Sequence, residues 1–422
     1  MSFLLRSIRL GASMTAFALV LGSEQNVLSQ WNSTAQRKPL EDALRRDLQD
    51  YLNTRSRIEH ISTLSMTVSF RGGSTIKMAV GTTKYGGGER VTPNNLFQIG
   101  SNTKAFTSVL LLRLEAAGVL SIDDTLGKWL PQYPAWSKIT IRKLLNMTSR
   151  IPTYDESAAQ ISEYDNDPYV ESTLPQLVAF VYPTVRTSGP DWGYSNTGYI
   201  LVQMIIDKAY ASMDRGGEFQ REDRYNKEDR HYYKRELDKL IEEIGLSATF
   251  YEPYFYPKPV TRRLVSGYYV NTDPPVLTKL LRKHTSGFSL GWTQAAGGIV
   301  STPEDLTKWV RALFEGNVLL PNQFGELTSL VSIPGGEPIP ATSSTNPQGF
   351  SLGLFQIADP DMGVFWGYQG STIGYRAAYA YFPSSGLIIT VFTNSQVASA
   401  ESTVTTVLFH SLYDTLKANG KI

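Results

Sequence analysis

The 422-residue sequence contains no cysteine. Disulfides, thiolate nucleophiles, cysteine-ligated zinc and a lipid-modified cysteine anchor are thereby excluded. Histidine is nearly as scarce: His60, His231, His284 and His410 are scattered along the chain. A metal centre built on clustered imidazoles is therefore not expected, and no cofactor is implied. Excess charge is also missing. Forty basic against 39 acidic side chains leave a net charge of +1, without the basic surplus that a nucleic-acid partner selects. After the first residues, no apolar run approaches the ~20 positions of a membrane-spanning helix. What is present is a globular composition, 41 % hydrophobic and 19 % charged, enough for a large core.

At the N-terminus, Arg6 and Arg9 precede an uncharged stretch from Leu10 to Leu21, and the small residues Gly22 and Ser23 follow. A charged start, a short apolar run and a small-residue cleavage zone describe a secretory signal. We therefore expect a signal peptide over 1–22, a linker over 23–39 and a folded domain over 40–420. The mature protein would be periplasmic or secreted, with no stable membrane span after cleavage.

Leu40, Leu44, Leu48, Tyr51 and Leu52 recur at helical spacing and predict a helix over 40–54. Strands are predicted over 64–70 and 75–80, joined as a hairpin by Arg71-Gly72-Gly73-Ser74. A buried helix is expected over 101–117, stopped by Gly118. From 122 to 208 the pattern is helical segments with proline-containing loops. A second hairpin is predicted from strands over 375–382 and 387–393, and a closing helix over 395–417. Strands thus cluster at both ends of the chain. The predicted fold class is α+β: an antiparallel β-sheet flanked by N- and C-terminal helices, with a mostly helical second region and a cleft between the two. Residues 214–236 carry seven basic and seven acidic side chains and read as a solvated insertion rather than a binding arm.

Three clusters carry chemistry. In Phe97-Gln98-Ile99-Gly100-Ser101-Asn102-Thr103-Lys104, Ser101 and Lys104 stand three apart and share one helix face. A serine hydroxyl needs a nearby base to become nucleophilic, and a lysine becomes one when burial disfavours its charged form. The apolar run after Lys104 predicts such burial. In Gly193-Tyr194-Ser195-Asn196, extended backbone would aim Tyr194 and Asn196 at the same cleft. A phenol beside an ammonium is expected to have a lowered pKa and to shuttle protons, and the amide would hold the lysine or a substrate carbonyl. In Tyr368-Gln369-Gly370-Ser371-Thr372, a glycine would let substrate lie close to a strand whose backbone N–H contributes to an oxyanion hole.

Taken together, these clusters resemble the serine β-lactamase and penicillin-binding-protein superfamily, whose motifs are S-x-x-K, Y-x-N and a third of K-T-G or H-x-G type. They occur here in order as Ser101–Lys104, Tyr194–Asn196 and Tyr368–Gly370. Supporting matches lie at Leu144-Leu145-Asn146-Met147-Thr148-Ser149 and from Ala296 to Leu306. The resemblance, over roughly 40–420, is to class C β-lactamases, D-alanyl-D-alanine carboxypeptidases and related esterases. It implies Ser101 as nucleophile, Lys104 as proton acceptor and Tyr194 as partner base, later the acid for the leaving group. Asn196 would orient the substrate, and Tyr368, Gly370 and Ser371 would line the third side. The backbone N–H groups of Ser101 and Ser371 would hold the oxyanion. The sequence departs from the family at Tyr368, where a lysine or histidine usually helps to bind a substrate carboxylate; Arg376 is a possible substitute on the following strand.

A D-alanyl-D-alanine carboxypeptidase or related D-amino-acid peptidase is the first reading. A carboxylesterase or acyltransferase of the same fold is the alternative, with weak β-lactamase activity and a non-catalytic penicillin-binding-type sensor behind it. The partner is a small peptide, ester or β-lactam substrate. Gly287-Phe288-Ser289-Leu290-Gly291 and Gly349-Phe350-Ser351-Leu352-Gly353 match the nucleophile elbow of another hydrolase fold, but neither leads into a helical pattern.

Overall fold

A computed structural model describes residues 34–214, 232–252, 254–316 and 318–422. The expected signal peptide, residues 23–33 of the expected linker and residues 215–231 of the charged segment lie outside these. Among the described residues no helix is long and apolar enough to cross a membrane.

Helix α1 spans Thr34–Glu59, starting before and ending after the predicted stretch. The hairpin strands β1 (Thr63–Ser69) and β2 (Thr75–Lys84) follow, then a short edge strand β3 (Gly87–Arg90). The later strands are β4 (Leu330–Ser332), β5 (Pro338–Ile339), β6 (Gln348–Phe350), β7 (Phe355–Asp359), β8 (Gly363–Thr372), β9 (Tyr375–Phe382) and β10 (Leu387–Thr393). They form one ten-stranded sheet in the order β3-β2-β1-β10-β9-β8-β7-β6-β4-β5. N- and C-terminal strands of the described chain meet inside this sheet, where β1 pairs antiparallel with β10, Met66 opposite Val391.

Side chains alternate across this sheet with the period of a strand. Leu387, Ile389 and Val391 of β10 face a core shared with Leu44 and Leu48 of α1 and Leu412 and Leu416 of the last helix. Ile388 and Phe392 face the opposite core, which the helical half of the protein fills. Both faces are covered, so β10 is buried throughout.

The helical half is built around α2 (Thr103–Ala116), α3 (Asn196–Met213), α4 (Tyr232–Ile244) and α5 (Pro303–Glu315). Helix α2 is buried at every position from Thr103 to Leu112, and Phe106 stacks on Trp309 of α5 with ring centroids 3.8 Å apart. Gly118 closes it with φ +69°. The charged segment does not end as solvated chain: Tyr232 and Tyr233 begin α4, and Tyr233 is buried, donating its N–H to Asp207 at 2.7 Å.

The predicted closing helix over 395–417 is also corrected. Residues Ser395–Val397 form a short strand parallel to Tyr268–Val270, and helix α6 proper is Phe409–Ala418. Ser399, Ser402 and Thr403 in between are poor helix formers, and their backbone finds other partners: Ser399 N donates to Asp273 at 2.6 Å.

Arg376 is not at the cleft. Its side chain is 2 % exposed and donates to Glu59 at 2.5 Å, and the Glu59 side chain is fully buried. Burial pushes the Glu59 pKa up, but Arg376 and hydrogen bonds from Tyr51 and Arg55 outweigh this and hold it below the usual carboxylate range. Its contribution to stability is therefore present above the unfolded carboxylate pKa and is lost as pH falls through the lowered folded value. Arg376→Met leaves the buried Glu59 with the partly exposed Arg55, 2.9 Å away, as its one remaining charged partner among the described residues, and is expected to cost about 3 kcal/mol in urea unfolding. A loss of only about 1 kcal/mol, typical of an exposed pair, would show that this contact does not tie α1 to the sheet.

Candidate active site

Ser101 sits in a single tight turn, Gly100–Asn102, that runs directly into α2. The first helical bonds run from Asn102 N to Ile99 O and from Thr103 N to Gly100 O, so the Ser101 N–H precedes them and has no partner within the helix. Gly100 has φ +52°, and a Cβ on it would come within 2.5 Å of the Ser371 carbonyl oxygen. Gly370 is equally constrained, since a Cβ there would meet Ile99 O at 2.1 Å. These two glycines let the turn lie directly against the end of β8. Gly370, expected at the substrate surface, is a packing position instead, while Ser371 lines the cavity.

One helical turn after Ser101, Lys104 is fully buried. Its Nζ lies 3.0 Å from Ser101 Oγ, 2.6 Å from Asn196 Oδ1 and 2.8 Å from the Ala296 carbonyl. Burial lowers the pKa of this amine to about 7, partly opposed by the negative charge of Asp155. Near neutrality it is therefore available as a base. Ser195 is extended, with φ −147° and ψ 110°, so Tyr194 and Asn196 project to the same side and Ser195 is buried on the other. Tyr194 OH lies 2.5 Å from Ser101 Oγ and accepts from Tyr368 OH at 3.2 Å.

The expectation of a lowered phenol pKa does not hold. Burial raises Tyr194 well above the ordinary tyrosine value, with Ser101 and Tyr368 drawing it only partway back. Tyr194 is therefore held as a neutral phenol rather than a resident phenolate. Burial likewise keeps Tyr368 protonated. Tyr368 packs edge-on against Phe355, with ring centroids 5.0 Å apart.

The cavity over Ser101 has a volume of about 430 Å³. Tyr164, Tyr269, Leu277, Trp292 and Ile373 make it apolar on one side, and Asp155 and Glu156 supply carboxylates. Among the described residues that line it there is no lysine, arginine or histidine. Sequence reasoning missed Asp155, whose Oδ2 accepts from Asn196 Nδ2 at 2.9 Å, and the Ala296 carbonyl. Ala296 lay in a supporting motif, but a backbone acceptor leaves no mark in residue type. Asp155 precedes Asn196 by 41 positions and meets it only in the fold. Ser289 and Ser351 of the two elbow-like pentads are fully buried.

Comparison with known proteins places this geometry in context. The family model described as Beta-lactamase matches residues 48–409. Penicillin-binding protein 4* of Bacillus subtilis (strain 168) is 35 % identical over 123 residues, 28 % of this chain and 26 % of its own length. Protein flp of Staphylococcus aureus (strain COL) is 23 % identical over 53 % of this chain and 39 % of its own. The matched stretch thus spans between about a quarter and two fifths of these relatives. Among solved structures, the D-amino acid amidase of Ochrobactrum anthropi SV3 complexed with D-phenylalanine superposes with a TM-score of 0.70 at 23 % identity, covering 90 % of this chain and 99 % of that one. A D-stereospecific amidohydrolase from Streptomyces sp. gives 0.66 at 24 %, covering 84 % and 94 %. At these identities the likeness is one of fold.

With Lys104 Nζ 3.0 Å from Ser101 Oγ, any reactivity of this serine is expected to depend on a neutral lysine. Labelling by a fluorophosphonate should accelerate with pH through about 7 and then level, because the amine must lose its proton before it can take one. Lys104→Met should slow labelling by about 10²–10⁴-fold. A rate independent of both pH and this substitution would separate Lys104 from the hydroxyl.

Proposed function

Since the chain belongs to the beta-lactamase family, we propose that it is an exported serine hydrolase that forms an acyl-enzyme on Ser101 and cleaves amides or esters of the D-amino-acid peptidase and amidase type. The hydroxyl of Ser101 attacks the substrate carbonyl as Lys104 takes its proton. The backbone N–H groups of Ser101 and Ser371 hold the oxyanion, and Tyr194 carries a proton to the departing amine or alcohol. Water then attacks the acyl-enzyme along the same proton path. Support comes from the unbroken chain Tyr368, Tyr194, Ser101, Lys104, in which each polar atom lies within hydrogen-bond distance of the next.

The observation that carries the substrate class is the charge of the cavity. Tyr368 stands where the family commonly has a cation, and Arg376 is engaged by Glu59 on the far side of the sheet. With Asp155 and Glu156 as the charged lining, a substrate carboxylate meets repulsion and no anchor. This favours substrates whose leaving side ends in an amide or ester over peptides ending in a free D-alanine carboxylate. The apolar wall of Tyr164, Tyr269 and Trp292 suits an apolar acyl side chain. The solved amidases of this fold, one of them titled as holding D-phenylalanine, are consistent with that choice.

A panel of D-phenylalanine amide, a p-nitrophenyl ester, a cephalosporin and a D-Ala-D-Ala peptide with free or amidated C-terminus tests this reading. Amide and ester should turn over, with all activity lost in Ser101→Ala. The amidated peptide should exceed the free acid in kcat/KM by about tenfold or more, equivalent to about 1.4 kcal/mol. Preference for the free carboxylate would restore the carboxypeptidase reading. Absence of any Ser101-dependent turnover or adduct would favour a sensor.

A further inference from the structure

A second ring of hydrogen bonds stands behind the reactive chain. Asn196 Nδ2 donates to Asp155 Oδ2 at 2.9 Å, and Asn196 N donates to Thr153 Oγ1 at 3.0 Å. The Thr153 hydroxyl in turn donates to Asp155 Oδ1. The ring ties the short turn Tyr154–Glu156 to the first residue of α3.

A carboxamide has one accepting end and one donating end, and an ionised carboxylate only accepts. Asp155 therefore takes the Nδ2 end and turns Oδ1 toward Lys104 Nζ, 2.6 Å away. The Ala296 carbonyl, another pure acceptor, lies 2.8 Å from the same nitrogen. A neutral amine offers two N–H bonds and one lone pair. With the N–H bonds drawn to Oδ1 and to the carbonyl, the lone pair is left for the remaining neighbour, Ser101 Oγ at 3.0 Å. If the amide turned over, its NH₂ would face the lysine and compete for that lone pair.

We propose that Asp155 is a positioning residue: by holding the Asn196 amide in one orientation it aims the Lys104 lone pair at the Ser101 hydroxyl. This rests on the reading of Ser101 as nucleophile and Lys104 as its base. The groups that face Lys104 are Ser101 from its own turn, Tyr194 with its ring centroid 4.8 Å away, Tyr199 of α3 at 5.3 Å, and Asn196 backed by Asp155. Burial keeps both tyrosines protonated, so Asp155 is the anion that acts on the lysine. Its charge favours the ammonium and so raises the lysine pKa against the pull of burial. Removing that charge moves the lysine further down.

The test uses the full chain with Asp155→Asn, Asp155→Glu, Asn196→Ala and the Asp155→Asn/Asn196→Ala double variant. It is run on p-nitrophenyl butyrate and on a p-nitrophenyl ester bearing a free ammonium. For Asp155→Asn, kcat on the neutral ester should fall on the order of tenfold to a hundredfold with KM little changed. The acidic limb of kcat/KM should shift to lower pH. On the pH plateau above the acidic limb, the same substitution in the Asn196→Ala background should cost almost nothing more in kcat, because its route through the amide is already gone. Asp155→Glu, which keeps the charge, should keep the limb in place. Costs that add fully, or an effect confined to KM for the ammonium ester, would overturn the proposal and make Asp155 a structural residue or a substrate contact. Turnover that survives Ser101→Ala would instead overturn the underlying nucleophile reading, and the role of Asp155 with it.

Discussion

An amine buried without a full charge partner is the constraint around which this protein is organised. Transfer of an ammonium from water into an apolar interior is so unfavourable that the group gives up its proton instead. Helix α2 imposes that transfer, because its first ten residues are all buried and Lys104 is among them. The site then supplies two acceptors for the N–H bonds and one hydroxyl for the lone pair. A surface lysine at the same spacing from a serine would remain an ammonium, and the hydroxyl beside it would stay inert.

The architecture serves to deliver three distant segments to that amine. Pairing of β1 with β10 joins the ends of the chain and completes a sheet covered on both faces. Strand β8 of that sheet ends against the serine turn, at a backbone separation that only Gly100 and Gly370 allow. The helical half brings Tyr194 and Asn196 from the entrance of α3 and the Ala296 carbonyl from the segment before α5. The cleft is the seam between the two halves, where binding sites of this kind of fold are expected. Its polarity follows from which side chains reach the seam. Two carboxylates and several aromatic rings do so, while Arg376 is turned to the opposite face of the sheet and neutralised there.

Much of this was legible in residue order. Alternation and helical spacing gave the hairpin strands, the buried helix ended by Gly118 and the meeting of the two chain ends, because those patterns report which faces avoid water. Ser101, Lys104, Tyr194 and Asn196 stood out because their chemistry requires short, fixed spacings. Where the reading went astray, the missing information was non-local. The expected closing helix is shortened to Phe409–Ala418, and Ser395–Val397 at its expected start pair instead with Tyr268–Val270, which overrides a weak helical pattern. The Tyr194 phenol was expected to acidify beside an ammonium, but desolvation by its neighbours raised it instead. Gly370 was assigned to substrate because its true contact, the Ile99 carbonyl, lies 271 positions away in the chain.

Local order alone determined the reactive residue types, their spacing, the class of fold and the absence of a cation at the third motif. These follow from covalent neighbours and from periodicities of two and of about 3.6 residues, which a linear string carries in full. Tertiary structure alone decided that the lysine pKa falls to about 7, that the tyrosine is not acidic, and that an aspartate stands behind the asparagine. Desolvation and hydrogen-bond direction depend on every atom packed around a group, and those atoms come from segments that only folding brings together.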